Sequence, residues 1–223
     1  AYHAGMSSQN GVKAVLLAQH GLTASTDAME AQDGFLQVFT GKTPEKARVN
    51  FGNPWDLIHP GLVFKQYPNC SGTHPAVDCL FQILKNDPFG PEDVASIQVG
   101  VSLLGLKELT CHCPTTATQA RFSMEYALAA AIVFGKLGLD QFSDRAVFDS
   151  RVRDLIPRVE VALDNELAQL GFIGTAPAKL RISLKDGREL SGRCDLAKGN
   201  PQKPLSDEEL SGKFVECASR VFQ

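Results

Sequence analysis

Leu180, Ile182 and Leu184 alternate with polar neighbours and run into Lys185-Asp186-Gly187-Arg188, after which Leu190 to Cys194 reads as a return strand. An Asp-Gly pair between two such runs signals a hairpin, because glycine readily takes the positive φ that a tight turn between twisted strands requires. A hairpin demands antiparallel pairing, so the chain does not fit a wholly parallel sheet of repeated strand–helix units. Ile97, Val99, Val101 and Leu103 alternate with Gln98, Gly100 and Ser102, and Val159, Val161 and Leu163 repeat the pattern. Period two is the mark of a half-buried strand. Helical signals surround these strands. Thr116 with Gln119 resembles a capping box opening a long helix through Phe122, Tyr126, Ala130 and Val133 to Gly135, and Ala146 to Ile156 reads as another, ended by Pro157. Helices, then mixed strands and helices with a terminal hairpin, then a last helix predict an α+β fold.

The first stretch is helical. Val12, Val15, Leu16 and Ala18 recur at helical spacing over 11–20 and stop at Gly21. A second helix is expected over 25–39 with a break near Gly34, and Thr43-Pro44-Glu45 starts a short third one. Gly52-Asn53-Pro54-Trp55 is turn chemistry and marks a boundary. At the other end, Ser206 with Glu209 caps a last helix whose apolar face is Leu210, Phe214, Cys217 and Val221.

Composition excludes several functions. The 223 residues suffice for one large or two small domains, and 43% hydrophobic with 21% charged residues is ordinary for a soluble globular protein. A formal net charge of −3 with no basic patch argues against nucleic acid. The most apolar run, Ala127 to Phe134, is far shorter than the roughly 20 residues that span a bilayer. Neither G-x-G-x-x-G nor G-x-x-x-x-G-K-[ST] occurs, so a nucleotide cofactor has no support, and the absence of G-x-S-x-G leaves a serine nucleophile without support as well. The six cysteines are scattered, and reduced thiols are expected. Their one cluster, Cys111-His112-Cys113, has one-residue gaps that do not suit a C-x₂-C zinc knuckle, so no metal site is assigned.

Chemistry concentrates in residues 64–80, Phe-Lys-Gln-Tyr-Pro-Asn-Cys-Ser-Gly-Thr-His-Pro-Ala-Val-Asp-Cys-Leu. Lys65 follows the apolar run Gly61-Leu62-Val63-Phe64, read as a strand end. Thr73-His74-Pro75 reads as the start of a helix whose apolar face is Val77, Leu80, Phe81 and Leu84, with Thr73 as cap and proline in the first turn. An amine, an imidazole and the positive end of a helix thus lie close together in sequence. That set holds a carboxylate and keeps a base beside an acidic C–H. The plainer reading of the same residues is a solvated strand-end lysine and a histidine that caps and packs.

Lys-Gln-Tyr-Pro-Asn-Cys followed by Thr-His-Pro-Ala-Val-Asp resembles the K-x-Y-P-x-C…H-x-x-x-D segment of the MmgE/PrpD family, which contains 2-methylcitrate dehydratases, cis-aconitate decarboxylases and iminodisuccinate epimerases. Three further segments match in order: His3-Ala4-Gly5 with Asn10-Gly11-Val12, Gln119-Ala120-Arg121-Phe122-Ser123 with Tyr126, and Pro204-Leu205-Ser206 with Lys213-Phe214. Family members are about twice this length, with an N-terminal helical half that supplies further active-site residues. The usual K-x-x-H-x-G motif around His3 would place its lysine just before Ala1. The resemblance therefore implies the C-terminal half of such an enzyme.

It implies an α+β lid domain over 57–200, a helical-domain segment over 1–56, and a helix over 201–223 returning to that helical domain. It implies Lys65 and His74 as catalytic residues, and His3 and Arg121 as substrate-binding residues, with no metal and no cofactor. Arg121 and Tyr126 also admit structural readings, as an inter-domain salt bridge and a core residue. The expected function is that of an enzyme acting on a small di- or tricarboxylate. A 2-methylcitrate dehydratase-like hydro-lyase comes first, with iminodisuccinate epimerase and cis-aconitate decarboxylase as alternatives. The alternative of another class is a non-catalytic lid or dimerisation module that needs the N-terminal helical half as partner. A homodimer is expected, located in the cytoplasm or, for a eukaryotic source, the mitochondrial matrix. The shared chemistry is proton transfer at a carbon beside a carboxylate, for which a lysine or histidine of tuned pKa is a suitable base.

Overall fold

The Asp186-Gly187 turn closes a hairpin, with Gly187 at φ 91° between strands 178–184 and 189–194. These strands belong to a four-stranded mixed sheet in a computed structural model that describes residues 2–41, 52–55, 57–170 and 176–222. The fold is α+β. The chain divides into two units, Ala1–Trp55 and Asp56–Gln223.

The first unit holds α1 (Tyr2–Gln19) and α2 (Phe35–Thr40). Helix α1 starts well before the expected Gly11, since residues 2–10 contain no proline to stop it; Ser8 Oγ donates back to Ala4 O at 3.1 Å. It stops at Gly21, φ 90°. The expected helix over 25–39 is reduced to α2. Asp33 takes φ 61° and Gly34 is extended, so helical hydrogen bonding restarts only at Phe35. The third helix expected at Thr43-Pro44-Glu45 lies outside the described residues.

In the second unit α3 (His74–Asn86) precedes β1 (Val94–Val101) and α4 (Leu103–Glu108). The chain continues through α5 (Ala117–Ala120), α6 (Met124–Phe134), α7 (Asp144–Val147) and α8 (Ser150–Leu155) to β2 (Val159–Leu163). Then follow α9 (Asn165–Gln169), β3 (Ala178–Leu184), β4 (Glu189–Cys194) and α10 (Asp207–Ala218). The strand order is β2-β1-β3-β4, with β1 parallel to β2 and antiparallel to β3, and β3 antiparallel to β4. Cross-strand rows such as Val159, Ile97, Ile182 and Leu190 turn one apolar face toward α3 and α6.

Helix α3 seats on β3 and β4 through its stripe of Ala76, Val77, Leu80 and Ile83, all buried, with Phe81 and Leu84 half-buried beside them. Each fully buried aliphatic chain of this kind contributes about 1.5–3 kcal/mol. The helix approaches closely at Gly192, where an added Cβ would lie 2.6 Å from Cys79 Sγ and 3.3 Å from Ile83 Cδ1.

Two expected helices are broken. The run over 116–135 divides because Ser123 is a second N-cap, accepting from Tyr126 N at 3.1 Å. The run over 146–156 is split between the end of α7, α8 with Asp149 as its N-cap, and a 3₁₀ turn, Ile156–Arg158, that accommodates Pro157 in its first turn. Tyr126 lies in the core, its hydroxyl donating to Gln141 O. Helix α10 carries the expected capping box, but its presumed apolar face is open: Phe214 is 72% and Val221 77% exposed. Polar contacts hold it to the unit, with Leu139 N donating to Glu216 Oε1 at 2.9 Å and Arg220 donating to Asp140 at 2.5 Å.

The close approach at Gly192 yields a test. Gly192→Ala should destabilise the second unit by about 1–3 kcal/mol through overpacking against Cys79. Adding Cys79→Ala should recover part of that loss, a non-additive pair measurable by urea denaturation of the two single variants and the double.

Candidate active site

The site is built where two loops cross at the N-terminus of α3. Leu62 to Lys65 forms no strand, contrary to expectation. Phe64 N donates instead to Gly199 O at 2.8 Å, a single bond to a loop with no strand alongside. Gly199 has φ 91°, and a Cβ there would fall 1.8 Å from Phe64 O, so only glycine permits this crossing.

Lys65 therefore sits on a loop, and its Nζ donates to Asn69 O at 3.2 Å. The loop is pinned from behind. Cys70 N donates to Arg121 O at 2.9 Å and Cys111 N donates to Phe122 O at 3.2 Å, carbonyls freed by the break between α5 and α6. Thr73 does not cap α3 with its side chain. Its hydroxyl donates to Cys70 O at 3.0 Å and accepts from Asn69 Nδ2 at 2.8 Å, because Ser71–Thr73 forms a 3₁₀ turn that leads into the helix.

Asp78, one turn into α3 and only 8% exposed, joins the two loops. Tyr67 Oη donates to its Oδ1 at 2.7 Å and Lys198 N donates to its Oδ2 at 2.7 Å, with Lys203 Nζ 3.9 Å from Oδ2. Burial, then the Asp78 charge, pushes the Tyr67 hydroxyl far above its usual range, so it remains a donor.

His74 is 2% exposed and packs edge-on against the Tyr67 ring, centroids 5.1 Å apart. Among the described residues its buried Nε2 has no hydrogen-bond partner, nor has Asn69 Oδ1. Burial, then the Lys65 charge, lowers its pKa to about 4, partly opposed by the backbone of Asn69 and Tyr67. The imidazole is neutral at pH 7 and has a free nitrogen.

Lys65 and His74 line one cavity of about 320 Å³, together with Ser71, Glu108, Lys198 and Asn200. A larger concavity of about 680 Å³ lies on the outer face of the sheet. There Lys179 and Arg193 are already paired with Asp164, Glu166 and Asp195, and neither Lys65 nor His74 takes part.

The remaining sequence candidates lie elsewhere. Arg121 is exposed at the end of α5 and contributes its carbonyl to the Cys70 loop; its side chain is not part of the cavity wall and makes no ion pair among the described residues. His3 is exposed on α1, in the first unit. In the Cys111-His112-Cys113 cluster, His112 Nδ1 lies 2.7 Å from Glu125 Oε1, and Arg153 Nη2 donates to Cys113 Sγ at 3.3 Å. Among the described residues no three His, Cys, Asp or Glu side chains converge as a metal site would require. Asp78, Glu108 and Lys198 were not singled out from sequence. Asp78 closes the H-x-x-x-D segment and was legible there, whereas nothing local marks Lys198.

An α+β unit presenting a lysine and a neutral buried histidine on a small cavity is the class of protein that these features define. Comparison with known proteins makes it particular. The MmgE/PrpD C-terminal domain matches residues 67–223 and the MmgE/PrpD N-terminal domain matches residues 1–47. The chain belongs to the MmgE/PrpD family. It is similar to the cis-aconitate decarboxylase of Homo sapiens, 24% identical over 99% of this chain and 46% of that protein. The Mus musculus cis-aconitate decarboxylase is 25% identical over the same shares, 99% and 46%. The cis-aconitate decarboxylase-like protein oryM of Aspergillus oryzae is 26% identical over 97% of this chain and 47% of its own. The chain thus spans about half the length of the curated relatives that it matches. No helix among the described residues is long and apolar enough to cross a membrane.

His74 makes stability depend on pH with a definite sign. The folded pKa of about 4 lies below the ordinary 6.5. Between those values the unfolded chain binds the proton and the folded one does not, so stability is full above pH 6.5 and falls toward pH 4. The loss from this group should approach about 3 kcal/mol. Urea denaturation from pH 7 to 4 should show that slope, and it should be shallower in His74→Gln.

Proposed function

We propose that this chain supplies part of the active site of a lyase acting on a small di- or tricarboxylate, with decarboxylation of a cis-aconitate-like substrate as the leading reaction. Similarity to cis-aconitate decarboxylases moves that chemistry ahead of the 2-methylcitrate dehydration favoured by the sequence. Because the chain spans about half of those relatives, the activity is proposed for a family protein of their length that contains it.

One observation carries the reading: a buried imidazole with a free Nε2, at the wall of a cavity that Lys65 shares. Lys65 is the carboxylate clamp in this scheme. Its ammonium already donates to a carbonyl oxygen and has further N–H groups for a carboxylate. His74 is the proton-transfer residue. Loss of CO₂ leaves an electron pair on carbon that must be protonated, and dehydration or epimerisation begins by removing such a proton, so one imidazole serves all three reactions. An anionic substrate beside Lys65 offsets the positive field on His74 and raises its pKa in the complex. Imidazole then becomes a proton donor when substrate is bound.

A non-catalytic lid or dimer-forming module is the second reading, favoured by the partial coverage of the relatives. Incubation with cis-aconitate, 2-methylcitrate or iminodisuccinate, followed by ¹H NMR, separates these readings. CO₂ loss from cis-aconitate is the expected result in a protein of the relatives' length, with little turnover by the 223 residues alone. Turnover of one of the other two substrates would keep the proton-transfer site and change the reaction; no turnover of any would sink the lyase reading.

Variants assign the roles. His74→Gln should lower kcat by roughly 10²–10⁴-fold. Lys65→Ala should act mainly on KM, by roughly 10- to 100-fold, with partial rescue by Lys65→Arg, since a guanidinium can clamp but cannot accept a proton. Because His74 must carry the proton that it donates, the alkaline limb of kcat/KM should begin near the free-protein value of about 4, and that of kcat should lie higher.

A further inference from the structure

Lys198 faces the same cavity as Lys65 and His74, yet it arrives from a loop remote in sequence. Its backbone is held tightly. The amide N–H donates to buried Asp78 at 2.7 Å, and the next residue, Gly199, accepts from Phe64 N at 2.8 Å. Its side chain is held loosely. The ammonium pairs with Glu209 on α10, and the two side chains are 37% and 30% exposed. A half-exposed pair of this kind contributes little to stability, so the ion pair alone does not account for a lysine anchored so firmly at the cavity wall.

We propose that Lys198 is a second carboxylate-binding residue, which leaves Glu209 for a substrate carboxylate when the cavity is filled. This rests on the reading of the site as a di- or tricarboxylate site and specifies how the second charge is met. A tricarboxylate carries its charges on separate carbons, and one ammonium at Lys65 cannot reach them all. Glu108 adds a negative charge to the same wall, which increases the need for another cation. Lysine suits the exchange, because a flexible stem and a rotatable ammonium can trade one carboxylate for another without moving the backbone. Glu209 holds the ammonium in the empty site, close to its place of use. It is also the acceptor half of the α10 capping box, through Ser206 N at 2.8 Å, so it keeps a hydrogen-bond partner after Lys198 leaves.

Calorimetric titration with unreactive propane-1,2,3-tricarboxylate and with succinate tests the assignment, in a family protein of the relatives' length that carries these residues. Lys198→Met keeps the apolar stem and removes the charge, and thermal melting checks that it folds. It should weaken tricarboxylate binding by at least about tenfold and succinate binding by much less. Glu209→Gln should bind the tricarboxylate as tightly as the parent or several-fold more tightly, because the internal competitor has lost its charge. Unchanged tricarboxylate affinity in Lys198→Met would overturn the proposal. So would equal weakening by Lys198→Met and Glu209→Gln, which would make the ion pair structural. If the parent binds neither acid, the carboxylate-site reading itself falls, and this inference falls with it.

Discussion

Asp78 places a carboxylate where little water reaches, and the candidate site depends on how its two oxygens are satisfied. One accepts the Tyr67 hydroxyl and the other the Lys198 amide. A buried charge is tolerated only when it is hydrogen-bonded, so the requirement acts in both directions. Tyr67 fixes the loop that carries Lys65, and Lys198 belongs to the loop that crosses it. Removing the carboxylate would leave a buried hydroxyl and a buried N–H without acceptors, a loss of about 1–3 kcal/mol for each group. The two loops are thus held by a side chain of α3, and α3 is held by the sheet through Gly192 and Cys79. Position in the cavity is inherited from packing in the core.

The break between α5 and α6 shows the same logic in the backbone. A continuous helix over 116–135 would keep the carbonyls of Arg121 and Phe122 inside its own ladder. Ser123 restarts the helix, and those carbonyls become acceptors for Cys70 N and Cys111 N. A local cap therefore frees the Arg121 carbonyl that pins the Lys65 loop, and the Phe122 carbonyl that pins the loop after α4. This also explains how Arg121 supports the site although its side chain lies outside the cavity wall.

Much of the fold was legible because the signals were local. Period-two alternation located β1 and β3, Asp186-Gly187 located the hairpin, and Ser206 with Glu209 located the start of α10. The failures have two sources, local caps such as Ser123 and long-range partners that a local pattern does not show. The run Gly61–Phe64 has the composition of a strand, but its partner is the Gly199 loop. Leu210, Phe214, Cys217 and Val221 have helical spacing, but within this chain Phe214 and Val221 remain open to solvent. In the site, Lys65 and His74 were readable from one short segment. Lys198 was not, because its link to Asp78 spans the whole sheet in sequence and depends on a backbone N–H that any residue would supply.

Comparison of two concavities of the second unit also separates structural charge from functional charge. On the outer face of the sheet, Lys179 and Arg193 have carboxylates on neighbouring side chains, so their fields are largely cancelled. At the loop crossing, the buried atoms His74 Nε2 and Asn69 Oδ1 have no partner among the described residues, and there Lys65 bonds to a carbonyl. Unsatisfied buried polar atoms cost free energy, and a fold keeps them most readily where a ligand completes them. The larger cavity is therefore the poorer candidate. The smaller one holds a neutral imidazole, a lysine that can gain a carboxylate, and a second lysine held by a competitor, which together give an anion reason to enter and a proton a place to go.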